Sequence, residues 1–262
     1  MNPFASKTSM VILSIFFVLF MHVHVESAQR VSIAMPMFPP YVHVSDEKPG
    51  FIPEIIMAAF ESQGYEVSFH RMSFARALAA VRVGEYDAIA PIYRTIERED
   101  FLFFSESIGK SRIFLLNNKD RDVVFTSLFD LKNYRIGVIR GATITPDFDH
   151  ATYLIKEEVK EQVQNIRKLM AGRIDLVVAN ELVLMWTIDQ LCREFNQCSE
   201  YIWKEFAIHT TNIGFSKINH NHIEYSKAFN IGFRIIKENN IYNEILRKYN
   251  IIYQDGILQS VF

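Results

Sequence analysis

Cysteine is scarce: only Cys192 and Cys198 occur in 262 residues. Two cysteines cannot build the disulfide framework of a small secreted domain or a cysteine-rich metal cluster. Charge of one sign is also missing. The chain has 28 Lys and Arg against 30 Asp and Glu, a net charge of -2, so it carries no electrostatic footprint for nucleic acid or for an anionic membrane surface. The eight histidines are scattered, and His220 with His222 has no acidic or cysteine neighbour at ligand spacing; no metal or other cofactor is expected. No low-complexity linker interrupts the chain, and no apolar run reaches the about 20 residues of a membrane-spanning helix.

The longest apolar run, Met10 to Met21, follows Lys7 and precedes the small residues Ser27 and Ala28. That layout suits a secretory signal over residues 1–28, cleaved after Ser27 or after Ala28. No cysteine sits just after the run, which argues against a bacterial lipid anchor. Export to an oxidising compartment makes Cys192 and Cys198 a disulfide candidate. Six residues apart on one helix they would face different sides, so a bridge requires the helix to end near Cys192.

The remaining chain is globular in composition, 49% hydrophobic and 22% charged, with length for one large or two modest domains. Val31–Met35 reads as a strand, and the prolines of Pro36-Met37-Phe38-Pro39-Pro40-Tyr41 forbid helix and hold Phe38 and Tyr41 at its end. A helix with Pro53 at its first position follows, ended by Gly64; then the alternating strand Tyr65–His70, and a helix capped by Ser73 and stopped by Gly84. A buried strand from Ala88 completes a βαβαβ pattern, hence a parallel sheet covered by helices.

The pattern then restarts with the strand Arg112–Leu116, a polar turn over 117–122, and the strand Arg135–Ile139. The turn Arg140-Gly141-Ala142-Thr143 leads to a helix beginning at Thr145-Pro146. Gly172-Arg173-Ile174-Asp175 and its following strand resemble Gly84-Glu85-Tyr86-Asp87 and the strand after it. Both read as helix, glycine stop, turn aspartate and buried strand, which argues for two similar lobes with a cleft between strand ends. A strand over 208–216 and helices over 222–238 and 241–249 close the chain.

Just past the strand from Ala88 lie Tyr93, Arg94, Thr95 and Arg98. Open α/β sheets bind ligands at such carboxyl ends, and a guanidinium beside a hydroxyl suits a carboxylate through paired hydrogen bonds. The same residues also read as a surface loop whose arginines pair with Glu97, Glu99 and Asp100.

Taken in order, Pro39-Pro40-Tyr41, Gly50-Phe51-Ile52-Pro53-Glu54, Gly84…Asp87, Thr95-Ile96-Glu97-Arg98, Phe104-Ser105-Glu106 and Asp130-Leu131 resemble the bacterial extracellular solute-binding protein family 3. So do Gly137 to Thr143, Gly172 to Asp175 and Asn243 to Tyr249. The resemblance implies an α/β, two-lobed periplasmic-binding-protein fold (type II), each lobe a mostly parallel sheet flanked by helices, with the ligand cleft between them. Lobe 1 would comprise residues 29–106 and 213–262 and lobe 2 residues 112–208, joined by hinge crossings at 107–111 and 209–212. By the same resemblance Arg98 clamps a ligand carboxylate and the backbone of Tyr93 lies against the ligand. Gly141 and Thr143 donate to the carboxylate, and Phe38 or Tyr41 with Phe74 pack on the ligand body. Arg76 and Arg140 are further cations near this site.

The sequence departs from the family where an aspartate normally meets the ligand amine: here stands Asn180. An asparagine offers no compensating charge, which points to an acidic or non-amine ligand. The expectation is therefore a monomeric periplasmic binding protein, not an enzyme, that delivers a small carboxylated solute to an ABC permease and its ATPase. The rivals are a ligand-sensing module for a membrane partner and a periplasmic dehydratase-like enzyme with Glu181 as its acid or base.

Overall fold

The computed structural model describes residues 29–43, 47–121 and 123–261; the expected secretory segment, residues 1–28, lies outside them. The first half forms β1 (Arg30–Pro36), α1 (Phe51–Glu61), β2 (Glu66–Met72), α2 (Phe74–Arg82) and β3 (Ala88–Tyr93). β1 pairs in parallel with β2 on one side and β3 on the other, with Arg30 opposite Glu66 and Ile33 opposite Ala88. This is the βαβαβ unit expected from the apolar periods. α1 begins two residues earlier than expected, so Pro53 is its third residue rather than its first; its missing N–H still falls among those a helix start leaves unpaired. Ser73 occupies the cap position of α2, yet its hydroxyl makes no cap bond.

After α3 (Ile96–Glu99) and β4 (Leu102–Phe104), the long β5 (Gly109–Asn118) leads into the second half. There a 3-10 turn over Leu128–Asn133 precedes β6 (Arg135–Ile139), α4 (Pro146–His150), β7 (Ile155–Val159), α5 (Gln162–Met170), β8 (Leu176–Asn180) and α6 (Glu181–Phe195). β6 pairs in parallel with both β7 and β8. The sequence reading missed β7, Ile-Lys-Glu-Glu-Val, because only its ends are apolar. It lies at the end of the strand order, where an edge strand carries charge freely.

β9 (Tyr201–Ser216) joins the two halves. It runs antiparallel to β5 from Gly109 opposite Thr211 to Asn118 opposite Tyr201, and its last residues pair with β3 and β4. The strand therefore starts seven residues before the expected 208, in a stretch whose side chains are largely exposed. The order across the sheet is β2-β1-β3-β9-β5-β8-β6-β7. α7 (His222–Glu238) and α8 (Ile241–Lys248) return to the first half, followed by the unforeseen hairpin β10 (Ile251–Gln254) and β11 (Ile257–Ser260).

Four apolar clusters form among the described residues; the largest lies mainly in the first half and also takes in Leu182 and Val183 of the second. Val31, Ile33, Phe51, Ile55, Phe60 and Phe229 belong to it; Ile113, Leu115, Ile136, Phe148 and Leu176 belong to one in the second half. Each such side chain contributes about 1.5–3 kcal/mol on burial. The repeat seen in the sequence is a repeat of structure. Gly84 and Gly172 both have positive φ, 76° and 65°, a conformation glycine adopts without steric cost. The aspartate three residues on then binds the start of the neighbouring strand. Asp87 Oδ2 accepts from Ser32 N at 2.7 Å, and Asp175 Oδ2 accepts from Arg135 N at 2.8 Å.

Cys192 and Cys198 are bonded, with Cα atoms 4.7 Å apart. The expected helix end near Cys192 is corrected: α6 continues to Phe195, and the bridge forms because Asn196 turns left-handed at φ 51°. The chain then doubles back, and Gln197 N donates to Cys192 O at 3.2 Å.

Candidate ligand-binding cleft

A cavity of about 410 Å³ lies between the two halves, within the size range of small-molecule sites. One wall is the proline-held turn after β1, with Met37, Phe38 and Pro39, together with Phe74, Tyr93 and Arg98. The other is built from Ile139, Ala142, Thr143 and Ile144 after β6, Gln162 and Val163 at the start of α5, and Asn180, Val183 and Trp186 where β8 passes into α6.

Arg98 is placed by its own short helix. Thr95 is the N-cap of α3, and its Oγ1 accepts from Arg98 N at 3.3 Å. The side chain turns inward, where only 5% of the residue is exposed. Nη1 donates to Tyr93 O at 2.8 Å and Nη2 to Thr143 Oγ1 at 3.0 Å, and the guanidinium lies 5.3 Å from the centre of the Phe74 ring. No acidic side chain forms an ion pair with it among the described residues; Asp149 acts on it only through space, its own carboxylate held by Ile144 N at 3.1 Å. Burial consequently lowers the guanidinium to about 10, so it remains a cation at neutral pH. Two of its five N–H donors are engaged by the protein, which leaves the others for an acceptor.

Arg94 behaves as the surface-loop reading had it. It is exposed and pairs with Glu99 at 2.6 Å.

Asn180 makes three side-chain hydrogen bonds within the protein. Its Nδ2 donates to Tyr41 Oη at 2.9 Å and to Tyr93 Oη at 3.1 Å, while Oδ1 accepts from Val183 N and so caps α6. The chain of hydroxyls continues inward: Tyr41 Oη lies 2.9 Å from Ser111 Oγ, which lies 3.0 Å from Thr211 Oγ1. Burial raises both tyrosines, Tyr93 to about 12 and Tyr41 further, so they stay neutral phenols. This buried network ties the turn after β1 to β3, β5, β8 and β9 at the points where the strands cross between the halves.

The other residues named from the sequence divide. Phe38, Tyr41, Phe74 and Thr143 line the cavity with Arg98 and Asn180. Thr95 and Gly141 instead line a broader groove outside it. Gly141 has φ 74° and its Cα faces the Phe74 ring. Arg76 is exposed on α2 and lines neither space. Arg140 is exposed and bound to Glu158 at 3.1 Å. Neither guanidinium reaches the cavity, one being on the outer face of α2 and the other in the turn after β6. Glu181, proposed as an acid or base, is held by Arg112 Nε and Nη2 at 2.9 and 2.7 Å.

Sequence reading missed Gln162, Trp186 and His209. The His209 ring stacks on Tyr93 with centroids 4.7 Å apart, and its Nε2 meets Ile144 O. Nothing local marks these residues, because each reaches the cleft from an element whose position is set by distant strand pairing.

Residues 31–251 match the sequence profile of the bacterial extracellular solute-binding proteins, family 3. No curated protein gives a significant sequence match. Among solved structures, a histidine kinase sensor domain with similarity to periplasmic binding proteins superposes with a TM-score of 0.75 at 18% identity, covering 85% of this chain and 96% of that one. An ancestral arginine-binding protein bound to arginine gives 0.72 at 21% identity, covering 84% and 97%. The GluR0 ligand-binding core from Nostoc punctiforme in complex with L-glutamate gives 0.69 at 19%, covering 84% and 98%. These likenesses carry the fold, a two-lobed periplasmic-binding-protein architecture; the profile match over most of the chain carries the family, which is one of binding proteins and not of enzymes. The chain belongs to the bacterial extracellular solute-binding proteins, family 3.

Proposed function

We propose that this protein is exported to the periplasm, where it closes as a monomer around a small carboxylated solute, an amino acid or related organic acid. It then delivers that solute to an ABC permease and its ATPase. In this reading residues 29–106 with 213–262 form one lobe, residues 112–208 the other, and 107–111 with 209–212 the hinge. Apolar clusters that fall mostly within one half each, and the crossing strands β5 and β9, support that division. The observation that carries the ligand class is Arg98: a buried cation on the cavity wall with donors free and no acidic partner among the described residues. A carboxylate supplies the missing charge with two parallel hydrogen bonds, and hinge closure completes its contacts from the second lobe through Thr143. Importer proteins share the fold, and so does a kinase sensor domain. That second likeness favours, as the alternative, a sensing role for a membrane partner.

A thermal-shift screen over amino acids, dicarboxylates and aromatic acids would supply a ligand for calorimetry. Arg98→Ala then abolishes its binding. The melting temperature stays close to that of the parent, because removing Arg98 strands no partner charge. Unchanged affinity would remove the role assigned to Arg98.

A further inference from the structure

We infer that Asn180 is a closure residue: its amide fastens the second lobe to Tyr41 and Tyr93 of the first, so the cleft closes through bonds within the protein itself. This rests on the lobe division proposed above and deepens it.

The first ground is where the bonds run. Asn180 ends β8 in the second lobe, whereas Tyr41 follows β1 and Tyr93 ends β3 in the first. The amide nitrogen of Asn180 donates its two hydrogens to these two phenol oxygens, at 2.9 and 3.1 Å. Asn180 is 2% exposed and Tyr41 1%, so both bonds are kept from water while the lobes are together. Parting the lobes exchanges them for bonds to water, and each carries the modest net worth of a neutral hydrogen bond.

The second ground is that both sides are held in place before they meet. On the second lobe, Asn180 Oδ1 accepts from Val183 N at 3.3 Å as the cap of α6, which fixes the amide plane. On the first, the Tyr41 ring packs on Phe38 and Phe51, with centroids 5.3 and 4.7 Å away, and Tyr93 stacks on His209 at 4.7 Å. Little side-chain freedom is left to lose when donor and acceptors come together, and preorganised partners keep more of the free energy of their bonds.

The third ground is the reach of the network. From Tyr41 it passes to Ser111 on β5 and Thr211 on β9, the two strands that cross between the lobes. Ser111 and Thr211 both fall within the proposed hinge segments, so the same hydroxyls connect the closing contact with the strands about which closure turns. The Arg98–Thr143 bond also spans the cleft, but Arg98 has a solute to bind as well. The amide hydrogens of Asn180 both go to the protein. Asn180 is thus a positioning residue that acts through the closing equilibrium. Two neutral hydrogen bonds favour the closed form by about 30-fold, and all solutes that bind the closed form gain alike.

The test is the distance between nitroxide labels on Glu61→Cys and Ala171→Cys, exposed sites in the two lobes. It is measured by pulsed electron resonance on the purified protein with no solute added; the native cysteines are bonded to each other and take no label. In the parent the distance distribution is narrow. Asn180→Ser keeps a good helix cap but is too short to reach the phenols, and it shifts and broadens the distribution. Tyr93→Phe, which keeps the ring on His209, does the same to a smaller extent because one of the two bonds remains. Added to Asn180→Ser it changes nothing further, as expected of two groups that act through one bond.

A lower melting temperature with an unchanged distribution in Asn180→Ser makes the residue merely structural and overturns the inference. So does a parent whose distribution is already broad, or a further shift when Tyr93→Phe is added to Asn180→Ser. If the distance moves in Thr143→Val but not in Asn180→Ser, only the role of Asn180 is lost. If it stays fixed even when Asn180→Ser, Tyr93→Phe and Thr143→Val are combined, the lobes do not move against each other, and the lobe division fails first.

Discussion

Arg98 and Thr143 stand 45 residues apart in the chain, and the guanidinium of one donates to the hydroxyl of the other at 3.0 Å across the cleft. The bond joins the short helix α3 of the first half to the turn after β6 in the second. It thus couples the residue proposed to meet the ligand to a contact between the halves. Thr143→Val keeps the shape and removes the acceptor. Since hydrogen bonds to charged groups contribute about 1.5–3 kcal/mol, the melting temperature should fall by several degrees, and solute affinity should fall about tenfold or more if Thr143 also orients Arg98 for the ligand. Calorimetry and a thermal melt on the same preparation separate the two; a lower melting temperature with unchanged affinity would make the bond merely structural.

Asp87 accepts from Ser32 N and Ser32 Oγ, both at 2.7 Å, and is also bound by Asn219 Nδ2. Asp87→Ala leaves these donors without their charged acceptor. A loss of about 2 kcal/mol in a urea titration is expected. Asp175→Ala, which strips Arg135 N and two arginine partners in the second half, should cost about as much. A large effect at only one of the two sites would break the structural equivalence drawn between the halves.

The Cys192–Cys198 bond closes a short loop at the end of α6. Loop-closure entropy for so few residues amounts to about 2 kcal/mol. Reductant, or Cys192→Ser with Cys198→Ser, should therefore lower the melting temperature by several degrees without unfolding the protein. In the absence of reductant, neither cysteine of the denatured protein should react with an alkylating agent.

His209 makes stability depend on pH. Burial against Tyr93 and Ile144 lowers its pKa, and Arg98 lowers it further, while the bond to Ile144 O and the charge of Asp149 act the other way. In the folded state it holds its proton less tightly than in the unfolded chain. Its contribution to stability is therefore complete above the unfolded pKa of about 6.5 and is lost as pH falls through the lowered folded value. His43, lowered by burial and by Lys48, acts in the same direction. Urea titrations between about pH 5 and pH 7.5 should show stability rising with pH. His209→Phe keeps a ring on Tyr93 and should flatten part of that rise; an identical slope in the variant would exclude His209 as its source.

Much of the fold could be read from the chain because its causes are local. Gly84 and Gly172 stop helices through a backbone conformation that belongs to glycine, and Asp87 and Asp175 follow each at the same spacing. The apolar periods of Ile55, Ile56, Ala59 and Phe60 state which face of α1 is buried before any partner is known. β7, β10 and β11 could not be read this way. As edge strands or a terminal hairpin they lack the apolar alternation that burial imposes, and pairing with neighbours alone defines them.

The cleft divides along the same line. The sequence by itself determined that a cation and a threonine lie just past β3, that Asn180 ends β8, and that the chain is built twice on one plan. Only the tertiary structure decided that Arg98 turns inward while Arg94 turns to Glu99, and that the amide of Asn180 is held by Tyr41 and Tyr93. It alone brought Gln162 and Trp186 to the same cavity and set the His209 ring against Tyr93 beside it. The physical reason is that burial and partner choice are set by contacts between strands far apart in the chain. Spacing along one segment fixes which side chains leave it together, but not what each of them meets.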